Sequence, residues 1–446
     1  MINTQGRFVW RLTAGIVLGL VAQGGSAHPV LTFSVTSQVA PLKDQPGTPT
    51  DETYPLTVAL GDQYLLMDRK GKRTIYDFAR NRILDIDLQS GTYQDYSLYS
   101  DIGFRVLEFQ NRLMLGRMLE SAKVSSMSMD PALVENVFSL LDDKSATEVG
   151  SSRRGGETLF QSHGQPLLRV TDAVRPLPPA YQAAYWRFIR YFVGGHPKAL
   201  TALSGVAGVP KSLTIVLTNV KIETRTLIVQ DIALPPDAPY SLSGFTLAMP
   251  AREPFTTLNT VAADAPAQLK LRLAAALKER DAAYSNGRYL DAMLANDEAM
   301  LSLGDADRQW LVGAREHLVN DGPTRKLIGA LSARDAAAAK QAAEDLHSLR
   351  DLNPRYTDVI DIFEGNTLLT LKQGDDGAKL LLSALAANPY LTGAWHDLGD
   401  YYYRAFRMQE AWACLDAARR IQPQNPMLQP VYKLEEALRQ RNPDFF

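Results

Sequence analysis

The stretch TGAWHDLGDYYYRAFRMQEAWACLDAARRIQP, residues 392–423, is the most informative part of this chain about its fold. Apolar and small residues recur in it at intervals of three and four, as two amphipathic helices require. Pro423 ends the second helix, because proline has no backbone amide hydrogen and cannot continue the helical hydrogen bonds. The stretch is therefore predicted to form a pair of packed helices.

This pattern repeats with a period of roughly 34 residues, a length typical of repeats built from two helices. Asn353-Pro354, Asn388-Pro389 and Gln422-Pro423 end successive units, so the three prolines are almost evenly spaced. In the last unit the recurring positions are Trp395, Leu398, Gly399, Tyr402, Ala411, Leu415, Ala418 and Pro423. These residues and their offsets resemble the tetratricopeptide-repeat family, whose units are helical hairpins.

Earlier units keep less of the motif. The unit before the last retains Gly365, Leu368, Gly377, Leu381, Ala384 and Pro389, and the one before that Ala330, Ala333, Ala342, Leu346 and Pro354. A fourth, more divergent unit holds Tyr284, Gly287, Tyr289, Ala292 and Ala299. The resemblance covers about residues 270–426. Because one hairpin cannot bury its own apolar face, the units are expected to stack, which makes the motif residues structural.

The resemblance implies that a protein or peptide binds along the concave face formed by the first helix of each unit. The residues expected to point into this repeat groove are Asn366, Leu369, His396, Asp400, Tyr403 and Arg404. They mix aromatic, charged and amide groups, which suits the gripping of a peptide. The alternative is that the groove is only solvated, or is covered by the N-terminal part of the chain.

The sequence before the repeats divides into further segments. Residues 235–268 hold six prolines and are predicted to be a linker between domains, with a helical domain over 269–446. Residues 56–234 show short alternating strands and two amphipathic helices, which predicts an α+β domain built on an antiparallel meander. Residues 28–55, also rich in proline, are predicted to be a flexible leader.

Residues 1–27 have the three parts of a secretory signal. Arg7 and Arg11 precede an apolar run from Leu12 to Ala22, and Gly25-Ser26-Ala27 supplies small residues for cleavage before His28. The apolar run is shorter than the roughly 20 residues that cross a bilayer. We therefore expect an exported protein without an integral membrane span. The alternative is an uncut N-terminal anchor.

Composition narrows the compartment and the kinds of partner. The chain of 446 residues has 47 basic and 49 acidic residues and therefore a formal charge of -2, without the clustered basic face that nucleic-acid binding needs. Cys414 is the only cysteine, so no disulfide can form within the chain, and we expect this thiol to be buried and inert. These features favour a bacterial periplasm.

No motif for catalysis, phosphate binding or a cofactor is present, so we expect a binding or scaffold protein rather than an enzyme. Asp85 and Asp87 share one face of a strand, with Asp77 on its neighbour, and could bind a cation; the alternative is the solvated side of a sheet. Arg153-Arg154-Gly155-Gly156 could contact an anion, or form the tip of a hairpin.

A second function class is a carrier of a lipid or another apolar ligand. Its basis is residues 61–97, GDQYLLMDRKGKRTIYDFARNRILDIDLQSGTYQDYS, whose strand rhythm is similar to the sheets of periplasmic lipoprotein-carrier domains. A carrier requires an apolar cavity between the sheet and its helices.

Overall fold

The computed structural model describes residues 28–42, 46–123, 130–142, 146–219, 221–235, 240–303 and 307–446. The signal sequence predicted for residues 1–27 lies outside these ranges. The predicted fold class is confirmed: a large antiparallel sheet with helices is followed by a helical array. No helix within the described ranges is long and apolar enough to cross a membrane.

The described strands are β1 Val30–Pro41, β2 Thr50–Leu60, β3 Tyr64–Arg69, β4 Lys72–Asp77, β5 Arg82–Asp87, β6 Thr92–Ser97, β7 Gly150–Arg154, β8 Glu157–Ser162, β9 Gln165–Thr171, β10 Val174–Arg175, β11 Val209–Pro210, β12 Ser212–Thr218, β13 Lys221–Ala233 and β14 Thr246–Leu247. Twelve of them form one sheet in the order β14-β6-β5-β4-β3-β2-β1-β13-β12-β9-β8-β7, and β10 pairs with β11. The meander predicted between residues 56 and 97 is the run from β2 to β6, each strand pairing antiparallel with the next.

The flexible leader predicted for residues 28–55 is wrong. Within this stretch β1 lies near the middle of the sheet, paired along its length with β2 and β13. Leu31, Phe33 and Val35 alternate along β1, so their side chains share one face, and each is at most 2% exposed. Pro41 stands at the end of β1, where a missing amide hydrogen is tolerated, and Pro55 lies in the part of β2 that pairs with β1 only.

One face of the sheet, here called the inner face, is covered by helices. These are α1 Leu98–Ser121, α2 Pro131–Phe138, α3 Gln182–Phe188 with a π-helical turn over Ile189–Val193, and α4 Pro197–Leu203. The ring of Phe33 stacks on Phe188 of α3 at a centroid distance of 5.5 Å, and Tyr185 beside it is 1% exposed. Aromatic side chains therefore fill the space between the centre of the sheet and α3.

From residue 240 onward, the described part of the proline-rich stretch 235–268 is packed onto the rest of the chain. Tyr240, Leu242 and Phe245 cover Ile75, Leu84 and Ile86 on the outer face of the sheet, and the hydroxyl of Tyr240 donates to Asp77. The short helix α5, Phe255–Leu258, buries Phe255 completely. The stretch thus contributes to the hydrophobic core, in addition to connecting the two halves of the chain.

Ten helices follow in the described residues. They are α6 Ala265–Ser285, α7 Tyr289–Leu303, α8 Arg308–Asn320, α9 Gly322–Leu331, α10 Ala336–Leu352, α11 Thr357–Thr370, α12 Gly374–Ala387, α13 Thr392–Arg404, α14 Met408–Ile421 and α15 Gln429–Arg441. The last two predicted units are the hairpins α11–α12 and α13–α14, which pack on each other through α12 and α13.

The α6–α7 hairpin, predicted as the first and most divergent unit, does not stack at one end of the array. Instead α7 lies across the array and contacts both α11 and α13. Its carboxylates and a backbone carbonyl accept hydrogen bonds from the amides that end successive units: Asn353 bonds to Asp291, Asn388 to Glu298 at 2.9 Å, and Gln422 to the carbonyl of Leu303 at 3.2 Å. Helix α7 therefore braces the array along one edge.

Candidate functional site

The residues that carry the repeat motif lie in the core. Trp395 and Leu398 are fully buried, and Tyr402 is 2% exposed. Gly399 lies so close to α14 that a Cβ atom there would stand 3.0 Å from Leu415, which is why the position is small. Cys414 is also fully buried, and desolvation holds the pKa of its thiol well above the usual value. These side chains hold the hairpins together and are inaccessible to a ligand.

Two of the predicted groove residues form a polar cluster between α11 and α13. The side-chain amide of Asn366 donates to Asp397 at 2.7 Å, and Nδ1 of His396 lies 3.1 Å from the other oxygen of the same carboxylate. Asp397 was not singled out from the sequence, although it is adjacent to His396 in the chain. The cluster offers polar contacts on a half-buried surface.

The remaining predicted residues do not converge on that cluster. Asp400 and Arg404 pair with each other across one helical turn at 2.9 Å and are exposed. Leu369 packs inside its own unit against Gly377. Tyr403 turns toward α1, and its ring lies 5.7 Å from that of Trp412 on α14. The six predicted residues therefore occupy at least two surfaces.

Tyr403 lines a groove between α1 and α15 that has a volume of about 970 Å³. Here this is called the α1–α15 groove. One wall is α1, the other is the C-terminal helix, and the loop after α2 closes one end. The residues lining it include Val106, Leu107, Leu113, Leu140, Leu141, Tyr403, Leu434, Ala437 and Leu438. The lining also includes Gln110, Arg117, Asp142, Arg441 and Asn442, so the groove suits a ligand surface that carries both apolar and polar groups.

An exposed apolar stripe runs along α1 next to this groove. Met114 and Met118 are 56% and 59% exposed, and Phe104 and Leu115 are each 43% exposed. Ile102, Phe109 and Leu113 form the buried face of this helix, whereas the second, exposed apolar face was not identified from the sequence. The sequence did indicate this second face, because α1 carries apolar residues on more sides of the helix than packing against the sheet requires.

Charged side chains flank the groove. Arg117 pairs with Asp142 at 2.5 Å, and Arg112 pairs with Glu108 within α1 at 2.8 Å. Arg441, at the end of α15, is exposed and has no ion pair among the described residues. The rim therefore presents a free positive charge at the C-terminal end of α15.

The structure separates the carboxylates that could have formed a cation site. Asp85 and Asp87 share the inner face of β5, but Asp77 points to the outer face, where Tyr240 covers it. Within the described ranges no group of three or more histidine, cysteine, aspartate or glutamate side chains could hold a metal ion. Arg153 pairs with Asp172 at 2.7 Å beside the β7–β8 turn, so the Arg153–Gly156 segment is a hairpin tip.

Comparisons with known proteins give no family for this chain. No protein-family model and no curated protein matches it. Among solved structures, the chain aligns with one described as "lipid-protein interactions in lipovitellin" at 14% identity, over 95% of this chain and 56% of that chain. The chain thus spans little more than half of that protein, and the TM-score is 0.19. A score this low carries no argument about fold or function.

Proposed function

We propose that this protein is a non-enzymatic binding protein that holds an apolar helical segment of a partner protein in the α1–α15 groove. The observation that carries the proposal is the set of apolar side chains lining this groove, with the exposed stripe of Phe104, Met114, Leu115 and Met118 beside it on α1. Contiguous exposed apolar surface is uncommon on soluble proteins and often marks an interaction site.

The spacing of the stripe favours a helical partner. Phe104, Leu107, Met114 and Met118 recur along α1 at intervals that keep them on one side of the helix, so they form a straight ridge. A helix with its own apolar face can lie along such a ridge with α15 on its other side. The unbranched methionine side chains can adapt to ligands of different shape. The free charge of Arg441 favours an acidic residue at one end of the bound segment.

The helical array would supply the rigid second wall. We propose that it is a tetratricopeptide-like array, on the strength of the motif residues and of the two stacked hairpins α11–α12 and α13–α14. Tyr403 joins the array to the groove, and the Asn366–Asp397–His396 cluster offers polar contacts to a segment that extends along α13. This makes the array both a scaffold and part of the binding surface.

We also propose that the chain is exported to a periplasm through a signal cleaved before His28. His28 is 8% exposed, and its Nδ1 lies 2.9 Å from the hydroxyl of Tyr181, so it belongs to the folded domain. The lack of disulfides, set by the single cysteine, is compatible with a bacterial envelope.

A lipid carrier that uses the centre of the sheet is less well supported. The carrier hypothesis required an apolar cavity between sheet and helices, whereas Phe33, Tyr185 and Phe188 occupy the space between β1 and α3. The α1–α15 groove has an apolar strip along it and is lined by the array as well as the sheet domain. We therefore place the apolar ligand there, as one side of a protein helix.

The test uses residues 28–446 and a fluorescent amphipathic helical peptide of leucine and glutamate. Fluorescence polarisation is expected to give saturable binding, and a peptide of the same composition in scrambled order is expected to bind at least tenfold more weakly. Replacing Met114 and Met118 by glutamate should weaken binding at least tenfold, because each places a charge in the apolar contact.

Leu352→Glu is the matched control, since Leu352 is 68% exposed on the array and does not line the groove. Its binding should equal that of the original protein. Equal binding of the ordered and scrambled peptides, or undiminished binding by the double glutamate variant, would show that the groove is not the site.

A further inference from the structure

Three helical hairpins of this chain turn in the same way, but with different residues. At each turn a residue with positive φ follows the first helix and the next amide bonds back to its last turn, as in a Schellman motif. The positive-φ residue is Gly287 between α6 and α7, Lys372 between α11 and α12, and Phe406 between α13 and α14, with φ of 72°, 62° and 60°. The amides of Arg288, Gln373 and Arg407 each bond at 2.9 Å to the carbonyl five residues earlier.

Phe406 is an unfavourable residue for this position. The left-handed conformation is strained for a bulky side chain and is normally taken by glycine or asparagine. Burial does not compensate the strain, because Phe406 is 41% exposed. Strain of this kind that persists without a packing benefit is a reason to look for a function.

The ring of Phe406 lies at a cleft between the array and the inner face of the sheet. The cleft has a volume of about 570 Å³. Phe104 of α1, 43% exposed, stands on the same cleft, so two exposed aromatic rings line it. Its floor is formed by side chains of β4, β5 and β6, namely Thr74, Tyr76, Ile83, Asp85 and Tyr96.

Most charges around the cleft are neutralised within the protein. Asp101 pairs with Arg105 at 2.9 Å, and Glu410 pairs with Arg407 at 3.2 Å and with Arg252 at 3.3 Å. Two charges remain. Arg69 and Asp85 are both exposed, and neither has an ion-pair partner among the described residues.

These two free charges lie near each other. Both line the same cleft, and Arg69 attracts the carboxylate of Asp85. Asp85 keeps one fixed hydrogen bond, from the hydroxyl of Thr74 to Oδ1 at 2.9 Å, which orients its carboxylate. Arg69 lies at 5.6 Å over the ring of Phe192, which limits the movement of its guanidinium. The cleft thus presents one positioned cation and one positioned anion.

We propose that this cleft binds a small zwitterion with an aromatic side chain, an aromatic amino acid or a short peptide that contains one. The ligand carboxylate pairs with Arg69, its ammonium group pairs with Asp85, and its ring packs between Phe104 and Phe406. Arginine binds carboxylates through paired hydrogen bonds, and offset stacking or edge contacts between aromatic rings favour the third group.

The opposite signs of Arg69 and Asp85 exclude simpler ligand classes. An anion alone would leave its charge near Asp85 unbalanced, and a cation alone would meet Arg69. An uncharged sugar would form an ion pair with neither side chain, and covering an unpaired charge with a ligand costs free energy. This site shares Phe104 with the surface proposed for the peptide but needs neither Met114 nor Met118, so variants at those two residues distinguish the two sites.

The test is isothermal titration calorimetry of residues 28–446 with L-phenylalanine and with the dipeptide Phe-Phe. We expect saturable binding of at least one of them. Tighter binding of phenylalanine indicates a free amino acid as the ligand, and tighter binding of Phe-Phe indicates a peptide. Asp85→Asn and Arg69→Gln should each weaken binding at least tenfold. N-acetyl-phenylalanine amide, which lacks both charges, should bind at least tenfold more weakly than the zwitterion.

Phe406→Gly separates the effect on ligand binding from the effect on stability. It should abolish binding while leaving the melting temperature unchanged or raised, since glycine adopts this turn without strain. Lys372→Gly, the same change at the equivalent turn of the preceding hairpin, should leave binding unchanged. The proposal is overturned if neither zwitterion binds, or if the uncharged amide or the uncharged sugar maltose binds as tightly as they do. It is also overturned if Phe406→Gly and Asp85→Asn bind the zwitterions as tightly as the original protein does.

Discussion

Among single residues, Asp297 on α7 lies in an environment that is unfavourable for a charge. Its side chain is 2% exposed, and its Oδ2 has no hydrogen-bond partner among the described residues. Desolvation raises the pKa of this carboxyl to about 8. Each pKa unit corresponds to about 1.4 kcal/mol, so the carboxyl at this position is stable in the folded protein mainly in its protonated form.

This environment predicts a stability that falls with increasing pH. In the unfolded chain Asp297 ionises near its usual pKa of 3.8, whereas the folded protein keeps the proton until about pH 8. The folded state binds more protons throughout this window, so the free energy of unfolding contributed by this residue decreases from about pH 4 to pH 8. Glu298, whose pKa burial raises to about 7, adds to the same trend.

Replacing Asp297 by asparagine should remove the part of this pH dependence that Asp297 contributes. We expect the variant to match the original protein near pH 4 and to be more stable at pH 8, because asparagine has nearly the same shape and no charge to bury. Urea unfolding at pH 4, 6 and 8 measures this. A difference between the two proteins that does not change with pH would contradict the assignment.

Among the secondary-structure elements, α7 is the unusual one. A helix of an amphipathic hairpin normally buries one side, but α7 buries Ala292, Leu294, Ala295 and Ala299 as well as polar residues around its circumference. It can be enclosed in this way because it crosses α11 and α13 and bonds to the ends of three successive units. The asparagine and glutamine side chains that end successive repeat units in the sequence therefore also hold α7 against the array.

Asn388 tests the contribution of this brace. Asn388→Leu removes the donor to Glu298 and leaves that carboxylate half-buried without its partner, which should lower the free energy of unfolding by about 1–3 kcal/mol. Gln424→Leu changes an exposed amide in the loop between α14 and α15 and should have little effect. Equal stability of the two variants in urea titrations would show that α7 is held by apolar contacts alone.

Across the molecule as a whole, the sheet and the last hairpin share one hydrophobic core. Trp412 of α14 is fully buried against Gly103 of α1, where a Cβ atom would approach the indole to 2.8 Å. Arg82 bridges Asp95 of the sheet and Asp416 of the array, at 2.6 Å to each. Phe445 returns to the sheet domain, where it is 1% exposed and its carbonyl accepts from the hydroxyl of Tyr191 at 2.7 Å.

We expect the two halves to unfold together for this reason. Phe445→Ala should destabilise the protein by about 3–5 kcal/mol through lost burial and the cavity left behind. Thermal unfolding followed by far- and near-ultraviolet circular dichroism should give one transition for both signals, shifted to lower temperature. Leu352→Ala, at an exposed position, should leave it unchanged; two separate transitions, with only one of them shifted, would contradict a shared core.

Most of the elements and the fold class could be predicted without the structure. Periodicity is a local property, so the hairpin of residues 392–423, the β2–β6 meander and the helices through Phe109 and Phe188 follow from neighbouring residues. The motif residues Trp395 and Leu398 were correctly expected in the core, since their spacing places them on the packed side of the helix.

Contacts between residues far apart in the chain decide which surfaces remain exposed to a ligand. Only the folded structure shows these contacts. β1 was missed because its place in the sheet depends on pairing with β13, a strand far along the chain, and not on its prolines. Tyr403 faces α1, and Asp397 joins Asn366 to His396, because the docking of Trp412 on Gly103 and the stacking of α11 on α13 fix those directions. The sequence could therefore name the residue types of a candidate site, whereas their arrangement required the packing of distant elements.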